Sequence, residues 1–428
     1  MLLLLLSLVS AAPDTIELSL GQALDQALRH SPAQAQASAS RLGSGIAVGK
    51  GINALLPAAS GSLDWGRTRS QILPGSDSTY TAEGWDGALT LSQVVFDPRV
   101  FAGAATSFIN AGYYSVDAQD KQARLIYDVT DSYLGLLGAR LLRDAAASAV
   151  DRAADNLRLN QEKLRLGAAS RIDVMRSEVY RSQADISLLT AEKALAAANA
   201  GLLATAGINR DVVVKPTEQL AAPAQLTVSS SDSLVAEIER RNPALRMAGK
   251  SGTIATINTI GAVGRILPSV SAYWQSRYSD SLMPGSIKDW GDKDVVTTGI
   301  GLSFPLLDLK SFALDIADAV AGSRRARAAA TAARYQVRAA AATAVIGYEE
   351  AQQRYDYAKK NLELNQELYR LAREQQRLGA ISLIDFFSVE TALEQANATY
   401  ITALTDTYVQ AAQISYLLGR TDYRPKSE

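Results

Sequence analysis

Ser170 and Asp173 stand three residues apart, as do Ser382 and Asp385, and each serine follows a glycine, Gly167 or Gly379, by three positions. A hydroxyl and a carboxylate at this spacing form the S-x-x-D start signal of a helix, in which each side chain bonds the backbone of the other residue. Their chemistry is hydrogen bonding and local negative charge. Bond-making chemistry has little to draw on. His30 is the only imidazole and there is no Cys. This excludes a histidine-based triad and a multi-histidine metal site within one subunit, together with disulfides, thiol nucleophiles and thiolate metal sites. No acid, base and nucleophile constellation recurs beyond the two serine–aspartate pairs. No catalytic, cofactor-binding or metal residue is therefore assigned, and the chain is not expected to be an enzyme. Gly43–Gly51, "GSGIAVGKG", looks like a phosphate loop, but a Walker motif needs Gly at Ser44 and Ser or Thr at Gly51.

The elements that carry these pairs are written twice. "RLGAASRID" (Arg165–Asp173) returns as "RLGAISLID" (Arg377–Asp385), 212 residues later (379 − 167) and with seven of nine letters unchanged. Arg165 and Leu166 close a helix, Gly167 suits a left-handed position after it, and Ser170 to Asp173 open the next helix. Arg377, Leu378, Gly379, Ser382 and Asp385 repeat this helical hairpin turn. Ala168 matching Ala380 and Ile172 matching Ile384 go beyond what a turn requires, since loop tips normally vary. The similarity extends far past the turns. "RHSPAQ" (Arg29–Gln34) answers "RRNPAL" (Arg240–Leu245), and "LSQVVFDPRVFA" (Leu91–Ala102) answers "LSFPLLDLKSFA" (Leu302–Ala313). Glu162, Glu178 and Gln183 match Glu374, Glu390 and Gln395. Such an internal repeat sets the architecture. It gives halves at 13–207 and 234–419, a Pro- and Ser-containing linker at 208–233 and a tail at 420–428.

Each half reads as helix, two strands, long helix, short helix. No proline lies between Pro98 and Pro216 or between Pro305 and Pro425, and both tracts are rich in strong helix formers. Leu309–Leu378 as one helix would span ~105 Å, Leu383–Leu418 ~54 Å, and Leu18–Leu56 as a single helical segment ~58 Å. Two shorter helices end to end match one long one, which predicts a rod about 100 Å long. Strands are expected near 57–72, 84–96, 267–280 and 294–307. In "VSAYWQSRY" and "VTTGIGLSFPL" apolar residues alternate with Ser, Gln, Arg, Thr and Gly, giving one apolar and one polar face. Strands of this length with aromatics near their ends fit an outer-membrane barrel, and four strands cannot close one, so several subunits are required.

Charge and termini narrow the class further. Lys plus Arg number 43 against 44 Asp plus Glu, for a net charge of −1, so no bulk field attracts nucleic acid. The run "SRRARAAATAAR" (Ser323–Arg334) reads as the solvated face of a helix, and "NAT" at Asn397 falls inside a helical tract. Residues 1–12 have the apolar stretch and small residues of a signal peptide without its basic start, as in a truncated leader. No other stretch has 18 consecutive apolar residues, so an exported protein without a transmembrane helix is expected.

The doubled G-x-x-S-x-x-D turn in its proline-free setting, the two strands per half and the linker resemble, over essentially the whole chain, the TolC-like outer-membrane efflux protein family. The resemblance implies a mainly α fold with membrane β. A homotrimer would form a 12-stranded β-barrel in the outer membrane of a Gram-negative bacterium, in contact with its lipid and continued by a long α-helical barrel in the periplasm. It implies the passive exit duct of a tripartite efflux or type I secretion system, served by a periplasmic adaptor (membrane fusion) protein and an inner-membrane RND or ABC transporter, with no cofactor. In this family the turns form the periplasmic tip where the adaptor docks. Here those positions are Arg165, Leu166, Gly167, Ala168 and Ser170, with Arg377, Leu378, Gly379, Ala380 and Ser382. Asp173 and Asp385 become channel constriction candidates, since three copies of Asp385 around an axis would attract cations. Some members carry a second acidic residue one turn later; that place is Ser388, which implies a weaker constriction. The alternative is a periplasmic coiled-coil adaptor or spacer, sharing helices and tip but lacking a barrel. Strand alternation favours the duct.

Overall fold

The structure, a computed structural model, describes residues 14–71, 79–218, 220, 231–304 and 309–422. The signal-like segment 1–12, residues 219 and 221–230 of the linker 208–233, the end of the tail 420–428 and the last residues of the strand expected to reach 307 lie outside them. The chain runs β1 (Asp14–Leu18), α1 (Leu20–His30), α2 (Pro32–Asn53), β2 (Ala58–Gln71), β3 (Thr79–Phe96), α3 (Pro98–Arg165), α4 (Arg171–Ala206), β4 (Val212–Pro216), α5 (Ser231–Arg241), α6 (Pro243–Gly264), β5 (Ser269–Asp280), α7 (Ile287–Gly291), β6 (Asp294–Ser303), α8 (Leu309–Leu378) and α9 (Leu383–Leu417). It divides into two units, Met1–Ser40 with Val116–Leu245 and Ala333–Glu428, and Arg41–Ser115 with Arg246–Ala332.

In the first unit the duplication is visible as the same packing done twice. Ser19 and Gln22 form a capping box at the start of α1, and Leu20, Ala23, Leu24 and Ala27 line one face at helical spacing. That face is buried against Leu125, Ile126, Val129 and Tyr133 of α3 and Leu202 and Ala206 of α4. Leu234 and Ile238 of α5 do the same against Val337, Ala341 and Val345 of α8 and Ile414 and Leu417 of α9. Leu18–Leu56, expected as one helical segment, is instead two helices parted at Ser31. Pro32 lacks an N–H and pushes the residue before it out of the helical region, and Ser31 is extended, with φ −67° and ψ 140°. Asn242 before Pro243 repeats the break and caps α6, its Oδ1 accepting from Ala244 N at 3.0 Å. Each break is seated against a glycine with positive φ, Gly207 on Ser31 and Gly419 on Pro243.

The linker also holds a strand that its composition hid. β4 pairs in parallel with β1, Asp14 opposite Val212 and Leu18 opposite Pro216. Asn199 of α4 bonds β4 as a strand would, donating to Val212 O at 2.9 Å and accepting from Val214 N at 2.8 Å.

The second unit holds an antiparallel sheet in the order β2-β3-β5-β6. Its register places Trp65 opposite Trp85, Leu91 opposite Trp274 and Ala272 opposite Ile300. One face therefore collects Leu63, Trp65, Leu89, Leu91, Trp274, Ile300 and Leu302, and the other Ser62, Asp64, Asp86, Thr90, Gln275 and Thr297. The apolar side chains of the first face are exposed in a single copy. Among the described residues β2 and β6 each lack a neighbour along one edge. β3 starts at Thr79 rather than near 84, because Thr79–Glu83 pairs with Arg67–Gln71 and an Arg67–Glu83 ion pair ties the two strands. The phosphate-loop lookalike Gly43–Gly51 is helical, part of α2. Gly51 serves packing: a Cβ there would meet the Phe108 ring of α3 at 2.9 Å.

Candidate functional site

α3 ends at Arg165 and α8 at Leu378, and the chain leaves both through a left-handed glycine, Gly167 at φ 73° and Gly379 at φ 70°. Both turns close with the same bonds. Ala168 N donates to Lys163 O at 2.7 Å and Gly167 N to Leu164 O at 3.0 Å; Ala380 N donates to Gln375 O at 2.8 Å and Gly379 N to Gln376 O at 3.3 Å. A left-handed residue here satisfies the last helical carbonyls, and glycine takes that conformation without a Cβ penalty. Ser170 then opens α4. Its hydroxyl accepts from Asp173 N at 3.2 Å and its N–H donates to Asp173 Oδ2 at 3.0 Å. The Ser170 hydroxyl also donates to that oxygen at 2.7 Å. These bonds, the hydroxyl's first, hold the Asp173 carboxyl below its ordinary range. Ser382 opens α9 with its hydroxyl accepting from Asp385 N at 3.1 Å and donating to Asp385 Oδ2 at 2.7 Å.

The two turns lie together, since Lys163 Nζ donates to Gln376 O at 3.2 Å. Leu166 and Leu378 are 73% and 82% exposed. Ala168 and Ala380 are exposed too, as are Asp385 and Ser388, whereas Asp173 is half-buried. Arg165 pairs with Glu162 at 2.9 Å and Arg377 with Glu374 at 3.6 Å, contacts of small energetic weight on an exposed face. Beside the turns, Ile172, Met175, Val179 and Tyr180 of α4 and Ile384 and Phe387 of α9 line an apolar groove of about 540 Å³.

Behind the turns lies a polar cage that residue spacing alone does not reveal. Glu390 of α9 is fully buried. Its Oε1 accepts from Arg152 Nε at 3.2 Å and its Oε2 from Asn156 Nδ2 at 3.0 Å, both on α3. Glu394 accepts from Arg152 Nη2 at 3.4 Å and from the Tyr180 hydroxyl at 3.2 Å. Tyr180 stacks on Phe387 with ring centroids 4.4 Å apart, and the Arg152 guanidinium lies 5.9 Å from the Tyr369 ring centre. Burial pushes Glu390 up to about 7, opposed by Arg152. Glu390 was visible beforehand only as the repeat partner of Glu178, which is exposed.

Two further surfaces of the first unit are apolar and exposed. On α4 they are Ile172, Met175, Val179, Ile186 and Leu189; on α8, Tyr357, Leu364, Leu368, Leu371 and Leu378. Both sets follow the three-, four- and seven-residue steps of a heptad seam. Among the described residues no group of three or more His, Asp or Glu is placed to hold a metal ion, and no helix is long and apolar enough to cross a membrane.

Residues 234–420 match the family model for outer membrane efflux proteins. Over 363 residues the chain is 24% identical to nodulation protein T of Rhizobium leguminosarum bv. trifolii, covering 81% of this chain and 74% of that protein. The CmeC outer membrane channel of Campylobacter jejuni has the same fold, with a TM-score of 0.83, 15% identity and coverage of 96% of this chain and 87% of that one. The outer membrane protein VceC of Vibrio cholerae follows at 0.77, 14% identity, and 94% and 96% coverage. The open state of the MtrE outer membrane channel of Neisseria gonorrhoeae gives 0.72, 18% identity, and 94% and 88% coverage. The matched segment is the second repeat, and the first repeat carries the same turn and the same helix packing. By this match the second repeat, residues 234–420, belongs to the outer membrane efflux protein family.

Proposed function

We propose that this protein is a passive exit duct of the outer membrane of a Gram-negative bacterium, working as a homotrimer with a periplasmic adaptor and an inner-membrane RND or ABC transporter. The observation that carries the reading is the pair of unpartnered seams. α4 starts at one turn and α8 ends at the other, so copies side by side bring the seams together antiparallel. Setting Ile172 of one copy opposite Leu378 of the next then places Val179 opposite Leu371 and Ile186 opposite Leu364 without any shift. A patch that differs from its complement generates a ring when the rotation closes. The sheet supports the same assembly. Its apolar face suits lipid, and an edge left open within a membrane is not viable, so β2 of one copy must meet β6 of another. Three copies supply twelve strands, and their helices a second, α-helical barrel.

The turns become the periplasmic end, with Arg165 to Ser170 and Arg377 to Ser382 as the adaptor's docking surface. Asp173 and Asp385 become the acidic groups of the constriction, with Ser388 beside them. No part of this role calls for a catalytic group. Fractionation of cells expressing the protein, with detergent extraction of the envelope, tests the assignment: a trimer is expected in the outer membrane. A soluble periplasmic monomer would replace the duct with the spacer.

A further inference from the structure

Every tryptophan of the chain belongs to one face of the sheet in the second unit. Trp65, Trp85 and Trp274 stand on the face that carries Leu63, Leu89 and Leu91, and the fourth, Trp290, reaches it from the loop between β5 and β6. That loop has thirteen residues, 281–293, and joins the strands at the end away from α6 and α8. Two antiparallel strands can be joined by two residues. These thirteen fold back over the sheet instead.

Two bonds pin the loop there. The Trp290 indole N–H donates to Ser276 Oγ at 2.8 Å, and the Tyr278 hydroxyl donates to Leu282 O at 2.7 Å. The indole stacks on the Tyr278 ring with centroids 5.3 Å apart and lies over Gly87, where a Cβ would collide with it. Gly87, Ser276 and Tyr278 are all buried. Gly87 is level with Tyr278 and Leu89 with Ser276, so Trp290 covers the sheet two to four residues below the end of β5 at Asp280, ~7–14 Å down the strand. The tuck hides the polar groups that interrupt this face, since the Ser276 hydroxyl in turn donates to Asp294 Oδ2.

Hiding them does not account for the rest of the loop. Leu282, Met283 and Ile287 are 68%, 58% and 93% exposed, three large apolar side chains within eight residues of the indole. Apolar side chains gathered in this way on a surface mark an interaction site. A neighbouring copy is not placed to cover them. In the order β2-β3-β5-β6 copies meet at β2 and β6, whereas Trp290 sits over β3 and β5, the two central strands. Under the duct reading, on which this inference rests, lipid lies against the central strands on this face.

We propose that the loop 281–293 is an interfacial anchor of the duct: Trp290 latches it onto the outside of the barrel, where Leu282, Met283 and Ile287 insert among the acyl chains of the outer leaflet. Tryptophan suits that position, because its ring is apolar and its N–H polar, and it gathers at membrane–water boundaries. The Trp65–Trp85 pair, level with Asp280, marks the same boundary on β2 and β3. At and beyond that level the face turns charged, with Lys293 paired to Asp280 and Arg67 to Glu83.

The absence of cysteine permits nitroxide labels at single introduced thiols. Ile287→Cys, Leu91→Cys and Asp64→Cys are labelled in the full-length trimer and placed in vesicles of phosphatidylethanolamine and phosphatidylglycerol. Accessibility to oxygen, which concentrates in lipid, is divided by accessibility to a water-soluble nickel chelate. Leu91 on the apolar face is the lipid reference and Asp64 on the polar face the aqueous one. The ratio at Ile287 should lie within twofold of Leu91 and several-fold above Asp64. Adding Trp290→Ala should bring it down toward the aqueous value and leave Leu91 unmoved. A lipid-like Leu91 beside a water-like Ile287 rejects the anchor alone. So does an Ile287 label shielded from both reagents, the mark of a protein cover, and so does a lipid-like Ile287 that Trp290→Ala leaves unchanged. A water-like Leu91 rejects the duct, and the anchor with it.

Discussion

Val179 is 71% exposed in a single copy and sits mid-seam on α4, opposite Leu371 in the antiparallel register. Truncation to Ala removes two methyl-sized groups at ~0.8 kcal/mol each, and scaling by the fraction that a neighbour can cover leaves ~1 kcal/mol per interface. A closed ring of three copies contains that interface three times, so the trimer should lose ~3 kcal/mol by the same estimate. Val179→Asp is harsher, because it places an unpaired carboxylate against a leucine, at several kcal/mol per interface. The isolated fold should not notice either change, since the side chain is solvated there. Light scattering in detergent across a dilution series should show Val179→Ala trimers dissociating at higher concentration than wild type and Val179→Asp as monomer, with unchanged melting of the monomer. Oxidising the double variant Val179→Cys, Leu371→Cys should yield covalent dimers and trimers on a denaturing gel. A Val179→Asp trimer as stable as wild type, or an uncrosslinked double variant within intact trimers, would refute the seam.

The turn glycines should separate docking from assembly. An added Cβ at Gly167 or Gly379 meets nothing within 4 Å, so Gly167→Asp and Gly379→Asp cost only the left-handed backbone, ~1–2 kcal/mol. Export should be lost with trimer levels intact, and normal export by these variants would refute the docking surface. Gly207→Ala should destabilise more than Gly167→Ala in thermal melts, because its Cβ would also meet Ser31 Cα at 2.8 Å and His30 O at 2.9 Å. Asp385→Asn should lower cation preference in planar-bilayer reversal potentials, and Asp173→Asn less so; an unmoved reversal potential for Asp385→Asn leaves that residue as a helix cap. Asp173, with its depressed carboxyl, stabilises the fold at pH values above its unfolded value and loses that contribution as pH falls through the folded one. The acid limb of wild-type melting, but not that of Asp173→Asn, should show this below about pH 4.

Legibility followed the range of the interactions. The turns were readable because a left-handed glycine and an S-x-x-D cap act within nine residues, and α8 because a proline-free run of helix formers needs no distant partner. The break at Ser31 was also local, and "RHSPAQ" against "RRNPAL" displayed it twice, through Pro32 and Pro243. β4 was not readable. Its five residues gain their partner from Asp14–Leu18, and a Val-rich stretch beside prolines and serines looks like any linker. The cage lay further out of reach, as Arg152 and Asn156 are separated from Glu390 by 238 and 234 positions. No spacing rule connects them.

The duplication clarifies how one repeated pattern comes to serve two ends. Arg152 and Asn156 occupy on α3 the positions that Leu364 and Leu368 occupy on α8. On α3 that face turns inward and carries polar groups that bond Glu390 and Glu394 of the same chain. On α8 it is exposed and apolar. Exchanging the two pairs would damage both: leucines on α3 would strand a buried carboxylate without donors, and a guanidinium and an amide on α8 would interrupt the seam. Identity of the repeats is therefore kept where both halves need the same local geometry, at Gly167 and Gly379, and abandoned where one face meets its own chain and the other stays exposed and apolar.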